Sequence, residues 1–228
     1  MSRIDNSDLQ TRIAQIALRV GGSHGFVLAG GKTLQVHGLS DRPTQDVDLF
    51  TNNFDVNLFS HARQLIVDKL QEAGFKVETV RNAPGFARLT VTEAHQNNMV
   101  EVDLGIDWRS NATGTPSALG AVLSQDDAVA SKTIALFNRA YPRDFIDFFN
   151  IVATGRYTVE ALVSLAHDHD PGFHVAAFRD ALGVITRLDH NEVSDYGVTP
   201  QQWEEITQWT LHVSSTLSDS SPSHAPEQ

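Results

Sequence analysis

The chain contains no cysteine in its 228 residues, which excludes disulfide bonds and thiolate metal sites and fits a reducing compartment. It has no apolar run long enough to cross a bilayer, and its polar beginning has no signal-peptide core. Positive charge is scarce, because 17 Lys and Arg stand against 28 Asp and Glu, a net charge of -11. This balance argues against nonspecific nucleic-acid binding over the whole surface. We therefore expect a cytoplasmic protein without membrane contact, which would hold any RNA through local basic residues.

The first half of the chain mixes two kinds of apolar pattern. Spacing of three and four residues is typical of amphipathic helices, whereas alternation is typical of strands. Together they predict a mixed α/β unit. The predicted helices cover 7–20, 33–39 and 61–73, and the predicted strands cover 25–29, 46–50, 75–80, 87–92 and 99–106.

The second half shows only helical spacing from Ser124 onward. Pro142 is expected to start a helix, because its missing amide hydrogen costs little in a first turn. We expect an α/β core with its N-terminal helix over 1–115, a linker over 111–117, a helical region over 116–213 and a disordered tail, rich in Ser and Pro, over 214–228. The predicted helices cover 126–140, 142–154, 158–167, 174–189 and 200–213.

The most informative stretch joins a glycine pair to a pair of carboxylates. Gly30-Gly31 follows a short apolar strand, and glycine at such a turn permits close backbone approach, with helix amides pointing at a bound anion. Fifteen residues after Gly31, Asp46 and Asp48 alternate in a strand-like run, so both side chains share one face. Adjacent carboxylates repel unless a cation lies between them. We therefore expect Mg²⁺, or Mn²⁺ in its place, bridged to substrate phosphates.

This ordered set resembles the nucleotidyltransferase superfamily with the polymerase-beta-like fold, whose signature is Gly-Ser, a spacer and Asp-x-Asp. A second match, Lys132–Arg139 followed by Pro142–Asp147, resembles the lysine motif and the Arg-Asp-hydrophobic-hydrophobic-Asp motif of a narrower family. That family is AbiEii, the bacterial nucleotidyltransferase toxins that include the mycobacterial MenT proteins. The likeness extends from about Phe26 to about Ile151.

The resemblance implies an α+β fold, in which a polymerase-beta-like core with a mixed sheet and flanking helices is followed by a helical C-terminal half. It implies a metal site on three carboxylates, of which the third would also take the proton of the attacking hydroxyl. It also implies a lysine that contacts the nucleotide and an aspartate that orients the lysine or the nucleotide. The implied metal ligands are Asp46, Asp48 and Asp103, the further catalytic residues are Lys132 and Asp144, and the nucleotide contacts are Gly30, Gly31, Lys32, Thr33, Arg42, Thr44 and Arg139.

Several of these assignments have alternatives in the residues themselves. Lys32 stands where the superfamily has Ser or Thr, so the phosphate contact falls to the Lys32 ammonium or to the Thr33 hydroxyl. Asp144 also suits the positive end of a helix dipole, and Arg42 could instead pair with Asp41 or Asp46. Glu101 and Asp107 compete with Asp103 for the third carboxylate, and a candidate RNA-facing patch comprises Arg63, Lys69, Lys76, Arg81 and Arg88.

The function implied by the resemblance is Mg²⁺-dependent transfer of a nucleoside monophosphate from an NTP to the 3′ end of tRNA. The chain would be the toxin of a type IV-like toxin–antitoxin pair, and a cognate antitoxin would be its protein partner. Two alternatives stay open. One is nucleotidylation of a small molecule or a protein side chain, and the other is a noncatalytic module that binds a nucleotide or an antitoxin.

Overall fold

The computed structural model describes residues 7–93 and 98–217. By their contacts these residues form two compact units. One unit comprises the described residues up to His37 together with Thr44–Ala128, and the other comprises Gly38–Pro43 together with the described residues from Val129 onward. The short segment Gly38–Pro43 thus belongs with the C-terminal half although it lies early in the chain. The domain limits at 115 and 213 stay a prediction.

The first unit is built on a seven-stranded mixed sheet in the order β3-β4-β5-β2-β1-β7-β6. Pairs β2–β5 and β1–β7 are parallel, and the remaining pairs are antiparallel. This sheet and its helices confirm the predicted α+β class. Its elements are α1 (Ser7–Gly21), β1 (Phe26–Leu28), α2 (Gly30–Val36), β2 (Asp46–Thr51), α3 (Val56–Glu72), β3 (Phe75–Ala83), β4 (Phe86–Glu93), β5 (Met99–Ile106), β6 (Thr115–Ser117) and β7 (Gly120–Val122).

Helices α1 and α3 supply apolar side chains to one core with the sheet. Ile13 of α1 and Ile66 of α3 are fully buried, as are the sheet residues Val47, Leu89 and Val102. Since side chains alternate along a strand, the residues between these core positions point to the opposite face of the sheet. That opposite face carries the acidic residues of β2 and β5.

The second unit is helical. Pro142 and Pro200 occupy the first turns of their helices, as the sequence predicts for Pro142. Phe148 and Phe178 are fully buried and contact each other edge to face, with the two ring centroids 5.7 Å apart. The helices are α4 (Gln125–Arg139), within which the unit boundary falls, α5 (Pro142–Ala153), α6 (Val159–His169), α7 (Val175–Gly183) and α8 (Pro200–Thr216).

Several predicted boundaries differ from the structure. Helix α3 begins at Val56 rather than at residue 61, because the Asp55 side chain caps it there, and β3 extends to Ala83. Helix α2 begins at Gly30, because Thr33 N already bonds to Ala29 O and the glycines form its first turn. The predicted linker contains β6. Helix α7 ends at Gly183, where glycine and the β-branched residues after it favour a tighter turn, Val184–Arg187. Residues 214–216 of the predicted tail belong to α8, and residues 218–228 lie outside the described part.

Within the two described ranges, no helix combines the length and the apolarity that a membrane span requires.

Candidate active site

Two adjacent strands bring the predicted carboxylates together. Asp46 and Asp48 alternate with the core residues of β2, so they share the face away from the core. Parallel pairing with β5 sets Asp48 opposite Asp103 and Asp46 opposite Glu101. Because paired residues project to the same side of a sheet, four acidic residues occupy one face of two neighbouring strands. Asp107 comes after β5 ends, and its side chain accepts from the Trp108 amide.

Gly30 lies directly against Asp48. Its φ is +63°, which favours glycine, and a Cβ atom there would come within 2.6 Å of Asp48 Cγ and closer still to Oδ2. The Ala29 amide also donates to the Asp48 carbonyl at 2.8 Å. The glycine turn and the second carboxylate of Asp-x-Asp therefore form one packed arrangement, which only glycine permits.

Lys32 and Thr33 follow in α2, and both are buried. The Thr33 hydroxyl donates to the Leu28 carbonyl at 2.8 Å. Since a hydroxyl has a single proton, this bond anchors α2 to β1 and leaves no donor for a phosphate. The Lys32 ammonium lies 3.5 Å from the amide oxygen of Gln10, whose nitrogen donates to the Thr44 carbonyl at 2.9 Å. Of the two alternatives, the geometry favours Lys32 as the phosphate contact.

Thr44 contributes an unusual polar atom. Its hydroxyl oxygen is buried and has no hydrogen-bond partner among the described residues. A buried hydroxyl normally finds a partner, because leaving it unpaired costs about 1–3 kcal/mol. An unpaired hydroxyl two residues before Asp46 is suited to a bound polar ligand.

The carboxylate oxygens are of the type that Mg²⁺ prefers. Across residues 7–93 and 98–217, however, no three His, Cys, Asp or Glu side chains converge as a metal site would require. Asp46 and Asp48 fit a cation by their chemistry and their shared face. Asp103 instead faces a neighbouring guanidinium.

Arg88 on β4 holds Asp103. The two residues are cross-strand partners, and Arg88 Nε and Nη2 each donate to one carboxylate oxygen at 2.7 Å. A second acid, Glu101, lies 3.5 Å from Arg88 Nη1. The hydrogen bond to Asp103 is the main reason that the pKa of Arg88 is raised above its ordinary value. Arg88 therefore carries its positive charge beside Asp103 at neutral pH.

The second unit has its own buried ionic centre, at Asp147. Lys132 Nζ lies 2.8 Å from Asp147 Oδ2, and Arg42 donates to both oxygens at 2.8 and 3.0 Å. Burial alone would raise the pKa of Asp147, but the charges of Lys132 and Arg42 and their hydrogen bonds outweigh it and hold the pKa below its ordinary value. This centre thus surrounds one buried carboxylate with the side chains of Lys132 and Arg42.

Arg42 also borders a cavity of about 660 Å³ in the second unit, which Asn150 and Tyr196 help to line. Its guanidinium carbon lies 5.2 Å from the centre of the Tyr196 ring. The sequence offered Asp41 or Asp46 as its alternative partner, whereas the structure gives it Asp147, 105 residues further along the chain.

Asp144 occupies the first turn of α5, which is the alternative that the sequence analysis gave for it. Its carboxylate accepts from Arg139 at 2.8 and 2.9 Å and from the Tyr141 amide at 3.1 Å, which caps α5. The structure therefore places Asp147, and not Asp144, beside Lys132. Both residues belong to the same Arg-Asp-x-x-Asp motif, and one helical turn separates them.

Sequence reasoning missed Asp147 and the role of Arg88. Asp147 lies among the apolar residues of α5, and a carboxylate on a buried helix face is itself a signal. Alternation along β4 could have set Arg88 on the face of the carboxylates, but its register opposite Asp103 needed the structure. The candidate RNA patch is also mostly neutralised, since Lys69, Lys76 and Arg88 each pair with an acid.

The sequence of this chain matches one known protein family. A model of the family described as "Nucleotidyl transferase AbiEii toxin, Type IV TA system" matches residues 13–208. No curated protein sequence gives a significant match.

Two similar solved structures agree in fold. JHP933 from Helicobacter pylori is 15% identical, with a TM-score of 0.58 over 94% of this chain and 92% of that one. MenT4, a nucleotidyltransferase toxin from Mycobacterium tuberculosis, is 15% identical, with a TM-score of 0.54 over 93% of this chain and 85% of that one. At such identities the likeness establishes the fold alone. Since the family model covers most of the sequence, the chain belongs to the AbiEii family of nucleotidyltransferase toxins.

Proposed function

We propose that this protein transfers a nucleoside monophosphate from an NTP to the 3′ end of tRNA and thereby arrests growth until a cognate antitoxin intervenes. An acceptor hydroxyl attacks the α-phosphorus and loses its proton, the bond to the β-phosphate breaks, and pyrophosphate leaves. The family and its type IV toxin–antitoxin description support this reading. The tRNA acceptor rests on the resemblance.

The observation that carries the proposal is the packing of Gly30 against Asp48 on the strand that also bears Asp46. Phosphoryl transfer needs little covalent chemistry from a protein, because most of the catalysis is positioning and neutralisation of negative charge. A tight backbone turn beside two carboxylates supplies a place for phosphates and a place for their cation.

Asp46, Asp48 and Asp103 are the residues that would hold Mg²⁺. When bound, the ion neutralises the phosphate oxygens and lowers the pKa of the attacking hydroxyl. Gly30 and Gly31 admit the triphosphate close to the backbone, and Lys32 supplies a point charge. The unpaired Thr44 hydroxyl is a further candidate donor to the nucleotide.

In the second unit, the resemblance assigns nucleotide contacts to Lys132 and Arg139. Lys132 is buried and charge-paired with Asp147, so its ammonium is held in one place, which suits a group that must meet developing charge. The Arg139 side chain is 37% exposed beyond its pair with Asp144. We assign Asp147 the orienting role that the sequence analysis gave to Asp144.

Labelled-NTP transfer assays test the proposal. Each of the four NTPs is offered with Mg²⁺ to total tRNA, to a protein mixture and to small hydroxylated compounds. Label on the tRNA 3′ end is the expected result. Label found only on a protein or a small molecule would mean that the enzyme is a nucleotidyltransferase with an acceptor other than tRNA. If no NTP is transferred although nucleotides still bind, the noncatalytic module is favoured.

The antitoxin is tested by growth. Expression of the wild-type chain should stop growth of a bacterial host, and co-expression of a neighbouring gene that encodes the antitoxin should restore it. Growth arrest that persists with Asp48→Ala would show that toxicity does not come from metal-dependent transfer.

A further inference from the structure

We propose that Arg88 is the resident counter-ion of Asp103 and that it must leave this carboxylate before a divalent cation can use it. Arg88 would thus be a positioning residue that weakens metal binding in the absence of substrate. This inference rests on the proposed function, in which Asp103 is the third ligand.

The geometry of the pair is the first argument. Both oxygens of Asp103 accept a short bond from Arg88, at 2.7 Å each, which is the fork-to-fork arrangement of the strongest Arg–carboxylate pairs. The Asp103 side chain is only 12% exposed, so water does little to weaken it. A cation that approaches Asp103 competes with a charge already in place.

The surrounding charges are the second argument. In the register of β4, β5 and β2, Arg88, Asp103 and Asp48 lie in one row, with Glu101 and Asp46 two residues earlier on their strands. Four carboxylates on one face repel each other, and Arg88 neutralises part of that charge. Arg88 thereby does in the metal-free protein what a divalent ion does in the loaded site.

The Arg88 guanidinium also has a second acidic partner nearby. Its side chain is 41% exposed, and the equally open Glu101 carboxylate lies 3.5 Å from Nη1. A small rotation towards Glu101 and water would free Asp103 without leaving the guanidinium unpaired. The absence of a three-ligand cluster among the described residues fits this state, because Asp103 is turned to Arg88.

If Arg88 supported metal binding instead of competing with it, the effect of removing Arg88 would be reversed. Each carboxylate oxygen has two lone pairs, so Arg88 could hold Asp103 in position while a metal uses the remaining ones. Removing Arg88 would then weaken metal binding. If Arg88 instead competes, its removal strengthens metal binding.

The test measures Mn²⁺ binding without nucleotide, by the loss of the free Mn²⁺ EPR signal. Arg88→Gln should bind Mn²⁺ roughly tenfold more tightly than the wild type, the scale of one charged hydrogen bond. Arg88→Lys, which keeps the charge but loses the fork, should fall between them. Arg12→Gln is the matched control, because Arg12 lies on α1, on the core side of the sheet, and pairs with Glu93, and it should bind as the wild type does.

A double-mutant cycle assigns the effect to this pair. In the Asp103→Asn background, Arg88→Gln should produce no gain in Mn²⁺ affinity. Unchanged or weaker binding by Arg88→Gln, with a melting temperature that shows a folded protein, would overturn the inference, as would an equal gain in the Asp103→Asn background. If Arg88→Gln does not fold, Arg88→Lys replaces it, and a Mn²⁺ affinity no higher than that of the wild type would overturn the inference. Nucleotidyl transfer by the wild type, measured separately, tests the proposed function, so the two can fail independently.

Discussion

At the scale of single residues, Gly30 combines a backbone requirement with a steric one. Its positive φ is shared by Gly74, whose Cβ position is open space, whereas a Cβ at Gly30 would meet the Asp48 side chain. Alanine substitution at Gly74 therefore measures only the conformational cost of a side chain at positive φ. Alanine substitution at Gly30 adds the cost of displacing the Asp48 carboxylate.

Gly30→Ala and Gly74→Ala are the matched pair that measures this difference. Gly74→Ala should lower the free energy of unfolding by about 1 kcal/mol, the cost of a left-handed alanine. Gly30→Ala should cost roughly 1–3 kcal/mol more, because Asp48 must move. Urea unfolding gives both values. Equal losses would mean that Asp48 gives way freely and that the packing of these two residues is not a constraint.

Asp147 makes stability depend on pH. Its pKa is lowered in the folded protein, so its contribution is present above the unfolded pKa of about 3.9 and is lost as the pH falls through the folded value. Asp147→Asn should cost about 3–5 kcal/mol at pH 7, the scale for breaking a buried ion pair. The penalty should shrink when the pH falls below about 4.

Urea unfolding at pH 7 and at pH 3 measures this change. Asp68→Asn is the control, since Asp68 is exposed and accepts one bond from Gln64, and it should change stability by less than about 0.5 kcal/mol at either pH. A pH-independent penalty for Asp147→Asn would contradict the charged Asp147 described above.

The sequence allows some of these residues to be predicted and not others. Alternation along 99–106 suffices to set Asp103 on the face opposite the core, and β5 does lie beside β2. The partners of Asp103 and Lys132 depend on strand register and on one helical turn of α5. Those are properties of the packed chain, which no local pattern specifies.

At the scale of elements, helix α2 is fixed to β1 through Thr33 rather than left open for a phosphate. The buried hydroxyl bonds to Leu28 in the strand before it. This contact, with the amide of Ala29 on Asp48, holds the glycine turn against β2. The predicted helix start at 33 missed this because the first helical bond begins at Ala29, ahead of both glycines.

Thr33→Val and Lys32→Met distinguish an anchoring residue from a nucleotide contact. Thr33→Val should lower the free energy of unfolding by about 1 kcal/mol, because it removes one buried hydrogen bond while the Leu28 carbonyl keeps its bond from the Leu123 amide, and should leave NTP affinity unchanged. Lys32→Met should weaken NTP binding roughly tenfold through loss of a charged contact. Isothermal titration with a nonhydrolysable NTP measures both affinities. A tenfold loss in Thr33→Val instead would return the phosphate contact to the hydroxyl.

For the whole molecule, the fold class could be predicted from the apolar spacing and the family resemblance. The division of the chain into two units could not. The segment Gly38–Pro43 joins the C-terminal unit through long-range contacts such as Ser40 to Asn150 and Arg42 to Asp147. Contacts between residues about a hundred positions apart cannot be predicted from a local sequence pattern.

The net charge of -11 sets how RNA can be bound. Lys69, Lys76 and Arg88 are paired to acids, so most of the candidate RNA-facing patch is already neutralised. The KM for tRNA should therefore rise only modestly with salt, with a log–log slope of about 2–3, one for each phosphate neutralised. Initial rates between 50 and 200 mM KCl measure it. A slope near 8 would require a broad basic surface and would contradict this expectation.

We propose that the face bearing Asp46 and Asp48 performs metal-dependent nucleotidyl transfer. The most direct measurement is transfer of label from the four α-labelled NTPs to total tRNA by the wild type, Asp48→Asn and Asp68→Asn. We predict labelled tRNA 3′ ends with the wild type and with Asp68→Asn, and a loss of at least about a hundredfold with Asp48→Asn. Undiminished transfer by a folded Asp48→Asn protein would show that these carboxylates are not the site of transfer.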